Sequence, residues 1–427
     1  METIDDVKQF TVAVMGEPPI PFVKKWTAIT GVAMNVTPVC VDINNDGIKE
    51  IFIAGNNGTS NTGRIVSVNG IDGSILWAQE WATPYQDAQT PMAIGDLAGD
   101  GVYRIVHTAS NRTMARNCSD GSIFWDVPVP SGWHHLAIVD NNGSPYVFVS
   151  MHGAVGGSQR ISKLRGIDGS IVAQAPVHYP CYGGISIADI NNDGKNEILI
   201  NDGSLRCFDE DLNQMWVHSA DGESACPILA DVNGDGYLDV IAVNGVSQTN
   251  GGLMVVSGKD GTIMKNLPNQ ALPTHMTPTV YDIDKDGNPE FITAYGGRIK
   301  VFDLVTEQIE AELNHNGYYY RATHAPCIGK VMPGQDLQII LDGSWDGAIS
   351  IWDKNYQRVA TVPGWGTNIL VDDIDGDGYN EILVTTWYNG IGTITCYSTA
   401  ARTNNARTDT NYYGERRTGA EVFYPKV

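Results

Sequence analysis

Positive charge is scarce in this 427-residue chain: 27 Lys and Arg stand against 49 Asp and Glu, a formal net charge of −22. Phosphate binding needs the opposite sign, so no nucleic-acid partner is expected. Charged residues of both signs reach only 18% while hydrophobic ones reach 42%, which excludes a disordered acidic tail. No apolar run approaches the roughly 18 residues of a membrane-spanning helix, so membrane insertion is not expected either. Paired cysteine motifs are also missing. Cys40, Cys118, Cys181, Cys207, Cys226, Cys327 and Cys396 form no CxxC, which disfavours thiolate zinc, thioredoxin-like chemistry and haem attachment. Several lie in apolar runs such as PVCVDI and SACPILAD and read as buried thiols of core strands. There is no G-x-S-x-G, no H-E-x-x-H and no P-loop, so the common nucleophile, zinc-hydrolase and nucleotide motifs are absent. The apolar stretch 10–15 is too short for a signal peptide and lacks its basic start, so a cytosolic or mature secreted chain is expected. Helix-rich stretches are few. Glycine, at 47 residues, is about 11% of the chain against the roughly 7% average. The composition reads as all-β with many turns.

What is present is a repeat. PVCVDINNDGIKEIFIAG from Pro38 recurs as GISIADINNDGKNEILIND from Gly184 and PILADVNGDGYLDVIAVNG from Pro227. Further copies are PTVYDIDKDGNPEFITAYG from Pro278 and NILVDDIDGDGYNEILVTT from Asn368. Weaker ones start at Pro91, Leu136 and Pro326. The leading acids are Asp42, Asp96, Asp140, Asp189, Asp231, Asp282 and Asp373, with Lys330 in the equivalent place of the most degenerate copy. Eight units spaced by 42 to 54 residues match one four-stranded propeller blade each. Each continues into a second hairpin, as in GRIVSVNGIDGSILW. The Trp residues of these segments, Trp77, Trp125 and Trp216, read as inter-blade packing.

The last unit ends after ITCYSTAA without a closing strand, and PFVKKWTA from Pro21 offers one. That segment is expected to complete the eighth blade and remove a free sheet edge. The expected organisation is an N-terminal extension 1–20, a single eight-bladed propeller 21–401, and a tail 402–427 laid on the ring.

Five loops share Asp-x-[Asp/Asn]-x-Asp-Gly-x-x-[Asp/Glu]. Their candidate ligands are Asp42, Asn44, Asp46 and Glu50; Asp189, Asn191, Asp193 and Glu197; Asp231, Asn233, Asp235 and Asp239. The last two loops contribute Asp282, Asp284, Asp286 and Glu290, then Asp373, Asp375, Asp377 and Glu381. Oxygens at alternate positions converge on one hard cation, the glycine permits the sharp bend, and the ninth residue closes the cage. A strand rather than a helix follows each loop, and the closing acid comes at position nine rather than twelve, so these are not EF-hands. About five Ca²⁺ ions are expected. Without a cation, each loop would gather three or four like charges within a few ångströms. The other units depart from the pattern: Ala98 and Arg104 replace two ligand positions, the third loop is shortened at Asp140, and the copy with Lys330 and Gln338 should hold no metal.

These loops resemble the FG-GAP/VCBS calcium repeats of integrin α-chain propellers, bacterial surface proteins and rhamnogalacturonan lyases. The resemblance covers roughly residues 22–400. Integrin heads have seven blades and the lyase propeller has eight, the number counted here. The DG-S-I-L-W segments are also similar to quinoprotein propellers, without a quinone-site pattern. The resemblance implies that the loops occupy one face and that the lead-ins to the first strands line the channel mouth on the other. Those lead-ins hold Asn35, Gln89, Trp133, His134, His135, Tyr179, Tyr182, Glu223, His275, Tyr320, Arg321, His324, Trp365 and Asn368.

Aromatic faces beside His and Arg suit an acidic sugar, with rings stacking and Arg pairing a uronate carboxylate. Trp133, Tyr182, Glu223, Tyr320 and Trp365 are the candidate ligand contacts. For an elimination, His134, His275, Arg321 and His324 are the candidate catalytic groups, since a base must take the proton α to the carboxylate. The leading expectation is an extracellular or cell-surface module that binds glycan or a surface protein. The alternative is a polysaccharide lyase acting on a uronate polymer such as rhamnogalacturonan. Five Asn-x-Ser/Thr sequons, at Asn35, Asn57, Asn111, Asn117 and Asn142, are compatible with secretion and decide nothing.

Overall fold

The computed structural model describes residues 22–33, 37–57, 62–82, 92–109, 112–130, 136–141, 143–150, 159–178, 184–220, 225–245, 247, 249–272, 274, 278–295, 298–314, 326–334, 336–341, 348–364, 366, 368–388, 390–403 and 422–423. No helix occurs among them, and none is therefore long and apolar enough to cross a membrane. They form eight sheets in chain order, each built on an antiparallel meander, an eight-bladed β-propeller.

Blade four shows the plan: Ile185–Ala188, Glu197–Asn201, Ser204–Phe208 and Gln214–Ser219 pair as a simple meander. The first strands of neighbouring sheets touch one another, which places them innermost around the axis. Second strands such as Glu197–Asn201 are buried along their whole length. They are covered on both faces by adjacent blades, so their sequence is continuously apolar rather than alternating. Fourth strands such as Ile75–Ala82 are largely open to solvent.

Buried apolar side chains fall into eight clusters, each formed between consecutive blades. One of them joins blade eight to blade one through Trp26, Ile374, Leu383, Ile51 and Val66. The strand Lys24–Ile29 makes this junction: it pairs antiparallel with Ile391–Arg402 as the outermost strand of blade eight. A two-residue strand near the other terminus, Val422–Phe423, runs parallel to Leu229–Ala230 beside the first strand of blade five.

Tryptophan and glycine lock neighbouring blades together. Trp26, Trp77 and Trp125 donate their indole N–H to the carbonyls of Gly70, Cys118 and Gly166 in the next blade, at 3.0, 2.8 and 2.6 Å. The ring faces lie over the turn glycines Gly73, Gly121 and Gly169, which adopt φ of +74°, +72° and +68°. Glycine is required twice there, for the left-handed backbone and for the absence of a Cβ under the ring. The six described cysteines are all buried and none forms a disulfide; Cys181 lies outside the described residues.

Candidate metal centres

Each acidic loop connects the first strand of a blade to the second, and six of them share one backbone geometry. Position four is left-handed throughout: Asn45, Gly99, Asn192, Gly234, Lys285 and Gly376 have φ between +58° and +77°. Position six is a positive-φ glycine in all six, Gly47, Gly101, Gly194, Gly236, Gly287 and Gly378. The leading Asp accepts that glycine's N–H, from 2.7 Å at Gly101 to 3.2 Å at Gly287. The Asp at position five accepts the N–H of position seven at 2.8 to 3.0 Å. Short Asx-type bonds therefore fold the loop from its own sequence.

The ninth residue has a divided role. One oxygen of Glu50, Glu197, Asp239, Glu290 and Glu381 accepts the N–H of position two, at 2.7 to 3.1 Å. In blades six and eight the ninth residue also brings an oxygen within 4.8 Å of its loop carboxylates. Asp239 Oδ1 and Glu290 Oε1 are buried with no hydrogen-bond partner, and both residues are fully inaccessible. Asp282 Oδ1 and Asp375 Oδ1 are likewise unpartnered. A buried anionic oxygen without a donor is costly, and the feature calls for a cation.

Electrostatics agrees. Burial, with neighbouring loop carboxylates adding to it, pushes Asp239 up to about 6 and Glu197 and Glu381 up to about 7. Glu290 rises furthest, to about 9, from burial and then Asp284, Glu310 and Asp282. Glu50, Asp284 and Asp373 are raised for the same reason.

The loops are not equally tight. Asp282, Asp284, Asp286 and Glu290 bring ligand oxygens within 4.8 Å of one another, as do Asp373, Asp375 and Glu381. Asp286 also gathers with Asp303 and Glu310, two residues outside the repeated motif. In blades one, four and five the third position is an amide: Asn44, Asn191 and Asn233 accept the N–H of position five at 2.9 Å.

The departing loops are filled differently. In blade two the Arg104 guanidinium folds back onto both oxygens of Asp100 at 2.7 Å and lies 3.7 Å from Asp96. This bond holds Asp100 well below the usual carboxylate range. In blade seven Gln338 keeps the structural half of the ninth residue's job, its Oε1 accepting from Val331 and Met332 at 2.9 and 3.0 Å without charge. In blade eight the ammonium of Lys25, from the closing strand, bonds Asp375 and Glu381. Burial opposes its charge, but those two acceptors outweigh it and hold the lysine above its ordinary pKa. Motif spacing missed Lys25, Glu310 and Asp303, because each reaches its loop from another strand. The signal available for Lys25 was its place beside Trp26 in the repeated tryptophan frame.

Of the channel-mouth residues, Asn35, Gln89, Trp133, His134, His135, Tyr179, Tyr182, Glu223, His275, Tyr320, Arg321, His324 and Trp365 lie outside the described residues. Asn368 is described and is buried: its Oδ1 accepts the Thr37 hydroxyl at 3.1 Å, tying blade eight to blade one. It serves the ring seam rather than an open mouth. The side chain of Asp140 is outside the described residues.

The fold and its loops define an acidic-loop propeller, and known proteins agree at that level. Residues 231–293, from the leading Asp of blade five's loop into the second strand of blade six, match the FG-GAP-like repeat family. No curated protein sequence matches the chain. Among solved structures it is similar to the Dos1 propeller (TM-score 0.57, 12% identity, 88% of this chain and 95% of that one). It is also similar to BamB from Moraxella catarrhalis (TM-score 0.54, 16% identity, 90% of this chain and 99% of that one). A third is the quinohemoprotein alcohol dehydrogenase ADHIIG from Pseudomonas putida HK5 (TM-score 0.56, 10% identity, 90% of this chain and 77% of that one). At such identities the likeness concerns the fold alone.

Proposed function

We propose that this chain is a calcium-stabilised binding propeller that works outside the cell or at its surface and takes glycan or a surface protein at its channel mouth. The calcium part rests on one observation above all, the buried and unpartnered oxygens of Asp239 and Glu290 at the ninth position of their loops. All-oxygen loops with a flexible third position suit Ca²⁺ better than Mg²⁺, which demands tighter octahedral geometry. Extracellular calcium modules of this kind bind at roughly 10⁻⁴–10⁻³ M, far above cytosolic calcium, which supports the extracellular placement. The binding part is supported by the aromatic, His and Arg residues that precede the first strands in sequence, from Trp133 to Trp365. Elimination on a uronate polymer is the alternative for the same mouth.

Two experiments test the reading. Equilibrium dialysis against calcium should show several bound ions per chain, and Asp231→Ala with Asp235→Ala should remove one of them. No bound calcium would sink the metal part. Retention on a glycan array without new ultraviolet absorbance from unsaturated uronate ends supports binding. Absorbance that grows with time on a uronate polymer would replace it with the lyase.

A further inference from the structure

A β-bulge recurs at one place in the fourth strand of every blade. The pairing shifts between Ile75 and Trp77 in blade one, between Ile123 and Trp125 in blade two, and between Lys24 and Trp26 in blade eight. A bulge leaves one residue out of the ladder and re-aims its side chain. The bulged residues are apolar in most blades, for example Leu76, Met215 and Met264. Three cases show where this position can reach. Phe124 lies under the Arg104 guanidinium, whose carbon sits 4.0 Å from the ring centroid, in the cation position of blade two. Glu310 joins Asp286 and Asp303 in blade six. In blade eight the bulged residue is Lys25.

Lys25 does more than touch that loop. Its ammonium bonds Asp375, approaches Glu381 at 3.1 Å and lies 3.6 Å from Asp377. These are three of the four carboxylates that would otherwise surround an ion. A second lysine, Lys49 of blade one, pairs with Asp372 at the start of the same loop. The chain thus places its own positive charge against blade eight's ninth residue, whereas the corresponding oxygens of Asp239 and Glu290 in blades five and six are left unpaired. The strand carrying Lys25 is fixed by its pairing with residues 393–397, so delivering this cation costs no translational entropy, unlike capture of a free ion.

We propose that Lys25 is the resident cation of blade eight's acidic loop and excludes calcium from it. Calcium is then held by the loops of blades one, four, five and six, and ring closure supplies the counter-charge of the fifth. This rests on the calcium reading of the other loops. It also assigns the N-terminal strand a second role, since the lysine can occupy the loop only when that strand is docked.

The test is calcium stoichiometry by equilibrium dialysis of the full chain, wild type against Lys25→Met, with folding checked by circular dichroism. Lys25→Met should bind one equivalent more than wild type. In chelator it should melt several degrees below wild type, and calcium should restore most of that loss. If Lys25→Met fails to fold, Lys25→Gln carries the same expectation. Equal, non-zero stoichiometry in both proteins overturns the proposal and leaves the calcium reading standing. No bound calcium in either protein overturns both.

Discussion

The indole of Trp26 donates to the carbonyl of Gly70 at 3.0 Å while its ring covers Gly73. One side chain from the first described strand therefore clasps the last blade to the first. It repeats what Trp77 does for Gly121 and Trp125 for Gly169. Trp26→Ala should cost about 3 kcal/mol of stability, the range for emptying a buried aromatic site. Trp77→Ala, at a more exposed ring, should cost less. Chemical denaturation of both variants measures the difference. A Trp26→Ala protein as stable as wild type would mean that closure does not depend on the clasp.

The turn glycines offer a sharper contrast. A Cβ on Gly121 would lie 2.6 Å from the Trp77 ring at a φ of +72°, whereas Gly390 has a φ of +81° and nothing within 4 Å. Gly390→Ala should cost about 1 kcal/mol, the strain of a left-handed residue alone. Gly121→Ala adds a steric clash and should cost clearly more. Equal melting temperatures for the two variants would contradict the packing role.

Stability should depend more steeply on pH without a cation than with one. Glu197, Asp239, Glu290 and Glu381 have folded pKa values raised to between about 6 and about 9. A carboxyl whose pKa is raised by folding binds its proton more tightly in the native state. Its contribution is fully present below the unfolded value near 4 and is lost as pH rises through the folded one. In chelator, the melting temperature should therefore fall between about pH 5 and about pH 9. Saturating calcium should flatten that slope by pairing the ionised forms of Glu197, Asp239 and Glu290. Identical slopes in the two buffers would count against metal in these loops.

The bulge position can be tested in reverse. Leu76 occupies in blade one the register that Lys25 holds in blade eight, and it is 47% exposed. Leu76→Lys should fold normally and bind one calcium fewer than wild type, read by the same dialysis. Unchanged stoichiometry would show that reach from the bulge differs between blades.

Chain-local information fixed the period and the loops. The eight-unit repeat, the hairpins and the all-β propeller are visible in sequence because short apolar runs, turn glycines and Asx bonds act within about ten residues. The shared loop geometry follows from Asp at positions one and five and glycine at position six, all of them local. Substitutions inside a loop, such as Arg104 and Gln338, were equally visible, although only the structure shows Gln338 preserving a backbone bond without charge.

Whether an acidic loop is left with unpaired oxygens was not legible, because that depends on atoms arriving from elsewhere. Lys25 and Asp375 are 350 residues apart and meet only when the N-terminal strand closes the ring. Glu310 reaches Asp286 from the outer strand of its own blade. Motif spacing counts ligands within nine residues, whereas charge balance is summed over everything within a few ångströms. The sequence by itself determined an eight-fold propeller with five similar acidic loops. Tertiary structure made them unequal, since ring closure carries one tethered ammonium into the eighth.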